Sequence, residues 1–230
     1  MGNGLPWILI STWALPLIIA ITFHEAAHGY VAWRLGDDTA HKMGRVSFNP
    51  LKHIDLFGTI ILPGILILTH AGIVFGYAKP VPVNFGRLGN PRRDMVWVAA
   101  AGPGINLALA LASAALFYVT FFLPNGMQDW ARLNLDNMIL INVLLAVFNM
   151  IPLPPLDGGR VAVGLLPRAL AMPLARLEPY GMLILIAILF LPSLIGNLLG
   201  VQFSLLAWLI GPPVEFMYNL ILSIVGLGRG

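Results

Sequence analysis

The sequence predicts an all-α polytopic membrane protein with five to six transmembrane helices and an irregular, re-entrant region after the first. Three observations carry this. Of 230 residues, 58% are hydrophobic and only 10% charged, against about a quarter charged in soluble domains. Apolar runs recur at 7–33, 58–76, 95–123, 137–165, 181–199 and 203–225, each near the ~20 residues that cross a hydrocarbon core as a helix. Most Lys and Arg residues fall between these runs rather than within them.

The first run carries no charge from Trp7 to Phe23. It lacks a basic leading segment and is too long for a cleaved signal, so it is expected to stay as a span. The second is the weakest, interrupted by Pro63, Gly64, His70 and Gly72. The third opens on Ala100-Ala-Gly102-Pro103-Gly104-Ile-Asn106, the fourth ends where Pro152, Pro154 and Pro155 break a helix, and two apolar runs follow. Val46-Ser-Phe-Asn-Pro and Ala78-Lys-Pro-Val-Pro-Val-Asn read as short extended pieces, because proline biases its neighbour away from helix.

The charges choose between five and six spans. If the second run dips in and returns, Arg34, Lys42, Arg45, Lys52, Lys79, Arg87, Arg92 and Arg93 share one face with Arg168, Arg176 and Arg229. Only Arg132 then lies clearly opposite, and Arg160 sits near the membrane edge. If the second run spans, the bias nearly vanishes. Cytoplasmic loops are Lys/Arg-rich, so five spans are preferred, with the N-terminus outside and the C-terminus in the cytoplasm.

Near the inner end of the first run lies His24-Glu25-Ala26-Ala27-His28. On a helix this HExxH spacing puts two imidazoles on one face, able to hold one Zn²⁺, with the glutamate beside them as general base. Ionisable groups at membrane depth are costly to bury and are functional by default. A catalytic zinc takes three protein ligands. With no cysteine in the chain, the third must be His, Asp or Glu. Asp157 in Leu156-Asp157-Gly158-Gly159 is the outstanding candidate, because five spans bring it, the HExxH motif and Gly102–Asn106 to one depth. Net charge is +3, with no basic patch interleaved with aromatics. Nucleic acid is therefore not an expected partner.

These segments resemble the site-2 proteases, the intramembrane zinc metalloproteases of peptidase family M50. HEAAH is similar to that family's zinc motif, and Asn149 with Leu156-Asp157-Gly158 to its second motif. Ala101-Gly102-Pro103 with Asn106 resembles the opening of the middle core helix. Asn49-Pro50-Leu-Lys-His53-Ile54-Asp55 and Ala78–Asn84 resemble segments of the small bacterial and archaeal members without a PDZ domain. Leu56 stands where such sequences often have proline, a small departure. The resemblance implies a single membrane-embedded metalloprotease domain over 1–230. Its core spans fall at about 7–34, 95–123 and 137–165, with a re-entrant region at about 35–94 and C-terminal spans at about 181–199 and 203–225. It also implies Zn²⁺ as cofactor, transmembrane protein substrates, and a multi-pass place in the cell membrane with the site toward the cytoplasm. A homo-oligomer is compatible with the sequence.

Each site residue has a plainer reading. His24 and His28 would be interhelical hydrogen-bonding residues, which leaves Glu25 unexplained. Asp157 would be a helix cap at a Pro-Gly break. The resemblance gives Asn149 a role in orienting substrate or stabilising the oxyanion. Asn106 reads chiefly as holding its helix to its neighbours, and otherwise as a substrate or oxyanion contact. His53 is a candidate substrate contact or resting-state ligand. His70 reads as a polar contact. The rival functions are a metal transporter, against which only one polar cluster counts, and an inactive membrane binding module, against which the intact Glu25 counts.

Overall fold

The computed structural model describes residues 6–68, 77–198 and 205–228. Among them there is no strand, and five helical stretches are long and apolar enough to cross a membrane: Ile10–Arg34, Pro91–Phe122, Asn125–Asn149, Arg168–Gly196 and Ala207–Ile224. The fold class read from the sequence is therefore the observed one.

Helix α1 (Pro6–Arg34) is followed by a short α2 (Thr39–Lys42). Between them Asp37 is fully buried and binds the loop from two sides. Its Oδ1 accepts from the Thr39 amide at 3.1 Å, and its Oδ2 from the Asn84 amide at 2.6 Å. Asp38 beside it is solvated; the Lys42 ammonium that hydrogen-bonds it, helped by Arg87, holds its carboxyl below the usual carboxylate range.

After a π-helical turn at Leu56–Ile61 the chain enters α3 (Leu62–Leu68). Residues 69–76, His70 among them, lie outside the described residues. The two ends of this segment nevertheless meet: Tyr77 donates to Gly58 O at 3.0 Å, and the Thr59 hydroxyl donates to Tyr77 O at 2.9 Å. Gly58 permits the approach, since a Cβ there would lie 2.4–2.7 Å from the Tyr77 ring.

Helix α4 (Pro91–Leu116) starts four residues before the apolar run that predicts it. Pro91 favours a first turn, where a missing N–H is harmless. Helix α5 spans Asn125–Asn149, not 137–165. Hydropathy hides both ends of this helix. Its first turns carry Gln128, Asp129, Arg132 and Asp136, and the proline-rich turn at 150–156 separates it from α6 (Asp157–Leu165). Helices α7 (Arg168–Ala175) and α8 (Gly181–Leu198) form one stretch, longer than the 181–199 run, and α9 (Leu205–Ile224) closes the order.

The core is α1, α4 and α5 packed against one another, with α6 on α4 and α9 on α5. Small residues let the helices approach: Ala110 and Ala114 of α4 meet Ile139 and Val143 of α5 and Ile221 of α9. Buried asparagines add hydrogen bonds between helices, as Asn137 does to Thr12 O at 2.8 Å. Most other large apolar side chains on α1, α4, α8 and α9 face outward, as lipid-facing surfaces do.

Candidate metal centre

His24 and His28 lie one turn apart on the inner face of α1, and Asp157 is the first residue of α6. All three are buried. The Nε2 atoms of the two histidines are 3.0 Å apart, and Asp157 Oδ2 lies 3.1 Å from one and 3.3 Å from the other. Four tetrahedral ligands at about 2.0–2.1 Å from zinc are separated by about 3.3 Å, so the triangle matches three of them.

The protons agree with the distances. His28 Nδ1–H donates to Val98 O at 2.7 Å, an atom that can only accept. His24 Nδ1 donates to Asn106 Oδ1 at 2.5 Å. Both Nε2 atoms therefore present lone pairs to the centre. They face a buried carboxylate oxygen, Asp157 Oδ2, that has no hydrogen-bond partner. Three acceptors turned on one point call for a cation, or for a proton taken up by one imidazole when the cation is absent. The donor set of two imidazoles and a carboxylate suits zinc.

Glycines make the approach possible. A Cβ on Gly102 of α4 would lie 2.5 Å from His24 Cε1 and from His28 Nε2. A Cβ on Gly158 would lie 2.2 Å from Met150 O, and one on Gly159 would lie 2.3 Å from Pro154 N. The first turn of α6 thus folds directly onto the backbone of the proline turn, which carries Asp157 in to the histidines.

Glu25, between the two histidines in sequence, is only partly buried. Its Oε2 accepts from the Val81 amide at 2.8 Å. That amide belongs to the 77–84 segment, which Lys79 N–H also ties to His53 O at 2.9 Å. Arg45 holds the same segment through Lys79 O at 2.8 Å. The pieces expected to be extended at 46–50 and 78–84 form no strand; Asn49 and Asn84 have extended backbone.

The remaining candidates are placed as follows. Asn106 is fully buried beside His24. Asn149, half-buried at the end of α5, donates from Nδ2 to Leu145 O at 3.0 Å. His53 is buried in the loop, where Nε2 donates to Ser47 O at 2.8 Å and Nδ1 has no partner. Sequence reasoning passed over Val81, Val98 and Asn142. A polar Asn142 within the apolar 137–148 stretch was the available signal for the last. Backbone partners such as Val81 and Val98 leave none.

Comparison with known proteins identifies the family. The model of a family described as peptidase family M50 matches residues 127–192, a stretch that includes Asn149 and Asp157. The candidate zinc metalloprotease YwhC of Bacillus subtilis is 40% identical over 193 residues, covering 81% of this chain and 84% of that protein. The chain belongs to peptidase family M50. The candidate zinc metalloprotease Rip2 of Mycolicibacterium smegmatis is 30% identical, covering 81% of this chain and 68% of its own. Rip2 of Mycobacterium tuberculosis, named likewise, is 28% identical over 82% of this chain and 70% of its own. No solved structure matches the chain.

Proposed function

We propose that this membrane-embedded zinc metalloprotease uses His24, His28 and Asp157 as its metal ligands and Glu25 as its general base, and that it cleaves peptide bonds in or beside transmembrane segments. The observation that carries the ligand assignment is the convergence of two bare imidazole nitrogens and an unpartnered carboxylate oxygen within 3.0–3.3 Å of one another.

Zinc held there would supply a Lewis acid that polarises the scissile carbonyl and acidifies water. The protein's own residues do the rest. Glu25, next to His24 on the same turn, takes the proton from the attacking water and later passes it to the leaving amine. The Val81 amide fixes the direction of that carboxylate. Val98 O and Asn106 fix the ring orientations of the two histidines. Asn149, eight residues before Asp157 and on the other side of the proline turn, is the side chain proposed to hold the developing oxyanion.

A helical substrate hides its peptide bonds and must unwind before attack. The irregular 77–84 segment has backbone groups to offer an extended chain, in the manner of an added strand. We place the site on the cytoplasmic side. The ends of α1 and α5 and the start of α4 share its level; Arg34 ends α1, Arg92 and Arg93 open α4, and the stretch between them holds Lys42, Arg45, Lys52, Lys79 and Arg87. The chain has no cysteine, so single introduced cysteines report sidedness without background.

Glu25→Gln tests the reading. It is expected to keep zinc and lose cleavage of a transmembrane reporter by at least about a hundredfold, the usual range for a lost general base. Cleavage at the wild-type rate would refute the assignment of the base.

A further inference from the structure

The face of α5 toward α4 carries Asn142, which is fully buried and touches neither the three ligand atoms nor Glu25 in any hydrogen bond among the described residues. It is joined to His24 through one intermediate, Asn106, also fully buried. The hydrogen bonds along this path have a single consistent direction. Met138 O can only accept, so Asn142 presents Nδ2 to it at 2.8 Å and turns Oδ1 toward Asn106. Asn106 must answer with Nδ2, at 2.7 Å. The same Nδ2 also donates to Ala20 O at 3.2 Å, a second acceptor-only atom. The other end of the Asn106 amide, Oδ1, is thereby left facing His24 Nδ1 at 2.5 Å. Only a donor satisfies it, so the proton of His24 sits on Nδ1 and Nε2 is bare.

A flipped Asn106 would set Oδ1 against two other oxygens with no proton between them. It would also turn an N–H toward His24 Nδ1, moving the imidazole proton to Nε2, where it would block the lone pair that faces His28 and Asp157. Buried amides pay the full desolvation penalty of each unmade bond, so this alternative is disfavoured at both ends.

We propose that Asn142 is a positioning residue of the metal site: through Asn106 it fixes the His24 tautomer that can ligate zinc. This rests on the zinc-site reading above and adds to it a residue one helix removed from the centre. Groups that orient a ligating histidine typically contribute about 10–100-fold in metal affinity.

The test is zinc affinity of the detergent-purified full chain, by competition with a chelator, beside the thermal stability of each metal-free variant. Asn142→Leu, similar in size and without polar atoms, is expected to bind zinc about tenfold or more weakly. Asn106→Leu should bind at least as weakly, and the double variant no more weakly than Asn106→Leu, because both act along one path. Asn142→Asp should recover affinity, since a neutral buried carboxyl can donate to Met138 O and accept from Asn106. Wild-type affinity in folded Asn142→Leu, or losses that add in the double variant, would overturn the proposal. Ring-nitrogen NMR shifts of metal-free wild type, at a pH where imidazole is neutral, decide the matter even if the Leu variants do not fold. A proton on His24 Nδ1 is expected, and one on Nε2 would refute the relay. Absence of zinc binding in wild type would instead overturn the metal-site reading, leaving those shifts to judge the relay alone.

Discussion

Gly102→Ala adds one carbon at the point where α4 touches both histidine rings. That carbon would stand 2.5 Å from His28 Nε2, 2.5 Å from His24 Cε1 and 2.6 Å from His24 Nε2. Ordinary contact begins near 3.4 Å, so each ring must retreat by about 0.9 Å, several times the ~0.2 Å tolerance of a metal site. Neither ring is free to retreat. His24 is held by Asn106 at 2.5 Å and His28 by Val98 O at 2.7 Å. Giving up those two bonds costs about 1–1.5 kcal/mol each, together about 2–3 kcal/mol, or roughly 30–140-fold in zinc affinity. Gly104→Ala, half a turn along the same helix, meets nothing within 4 Å and serves as the control. Zinc titration and reporter cleavage of the two variants should separate them sharply, although alanine is the better helix former in both. Gly102→Ala with wild-type zinc affinity and activity would refute the placement of the rings against α4.

Two further outcomes are expected. Asn149→Ala should retain stoichiometric zinc while kcat falls by about 10²-fold or more, as loss of an oxyanion donor does; loss of zinc together with activity would mark Asn149 as structural. Stripping zinc with a chelator should lower the thermal midpoint, because a ligand bound only by the folded state stabilises it by about 4 kcal/mol at a thousand times its dissociation constant. A midpoint indifferent to the chelator would contradict binding at Asp157, His24 and His28.

Much of this was legible before folding. Helix count followed from hydropathy and charge. HEAAH and Leu-Asp-Gly announced chemistry because spacing and membrane depth leave ionisable groups few other uses. The limits of α5 were not legible, since hydropathy averages over a polar first half and an apolar proline turn alike. Nor was the contact of Glu25 with Val81, which involves a backbone amide that no side chain marks. Gly102 was visible as part of Gly-Pro-Gly-Ile-Asn, but its function as the floor beneath two imidazoles depends on a helix crossing that sequence does not encode locally. Asn106 was visible as a helix-packing residue, and its grip on His24 emerged only from the packing of α4 against α1.

The three-ligand zinc site is tested most directly by the metal content of purified protein, wild type beside Asp157→Ala. One zinc per chain in wild type, lost in Asp157→Ala while that variant remains folded and monodisperse, is the predicted result. Equal zinc in both would contradict it, for Asp157 would then be a helix-initiating residue and the third ligand would lie elsewhere.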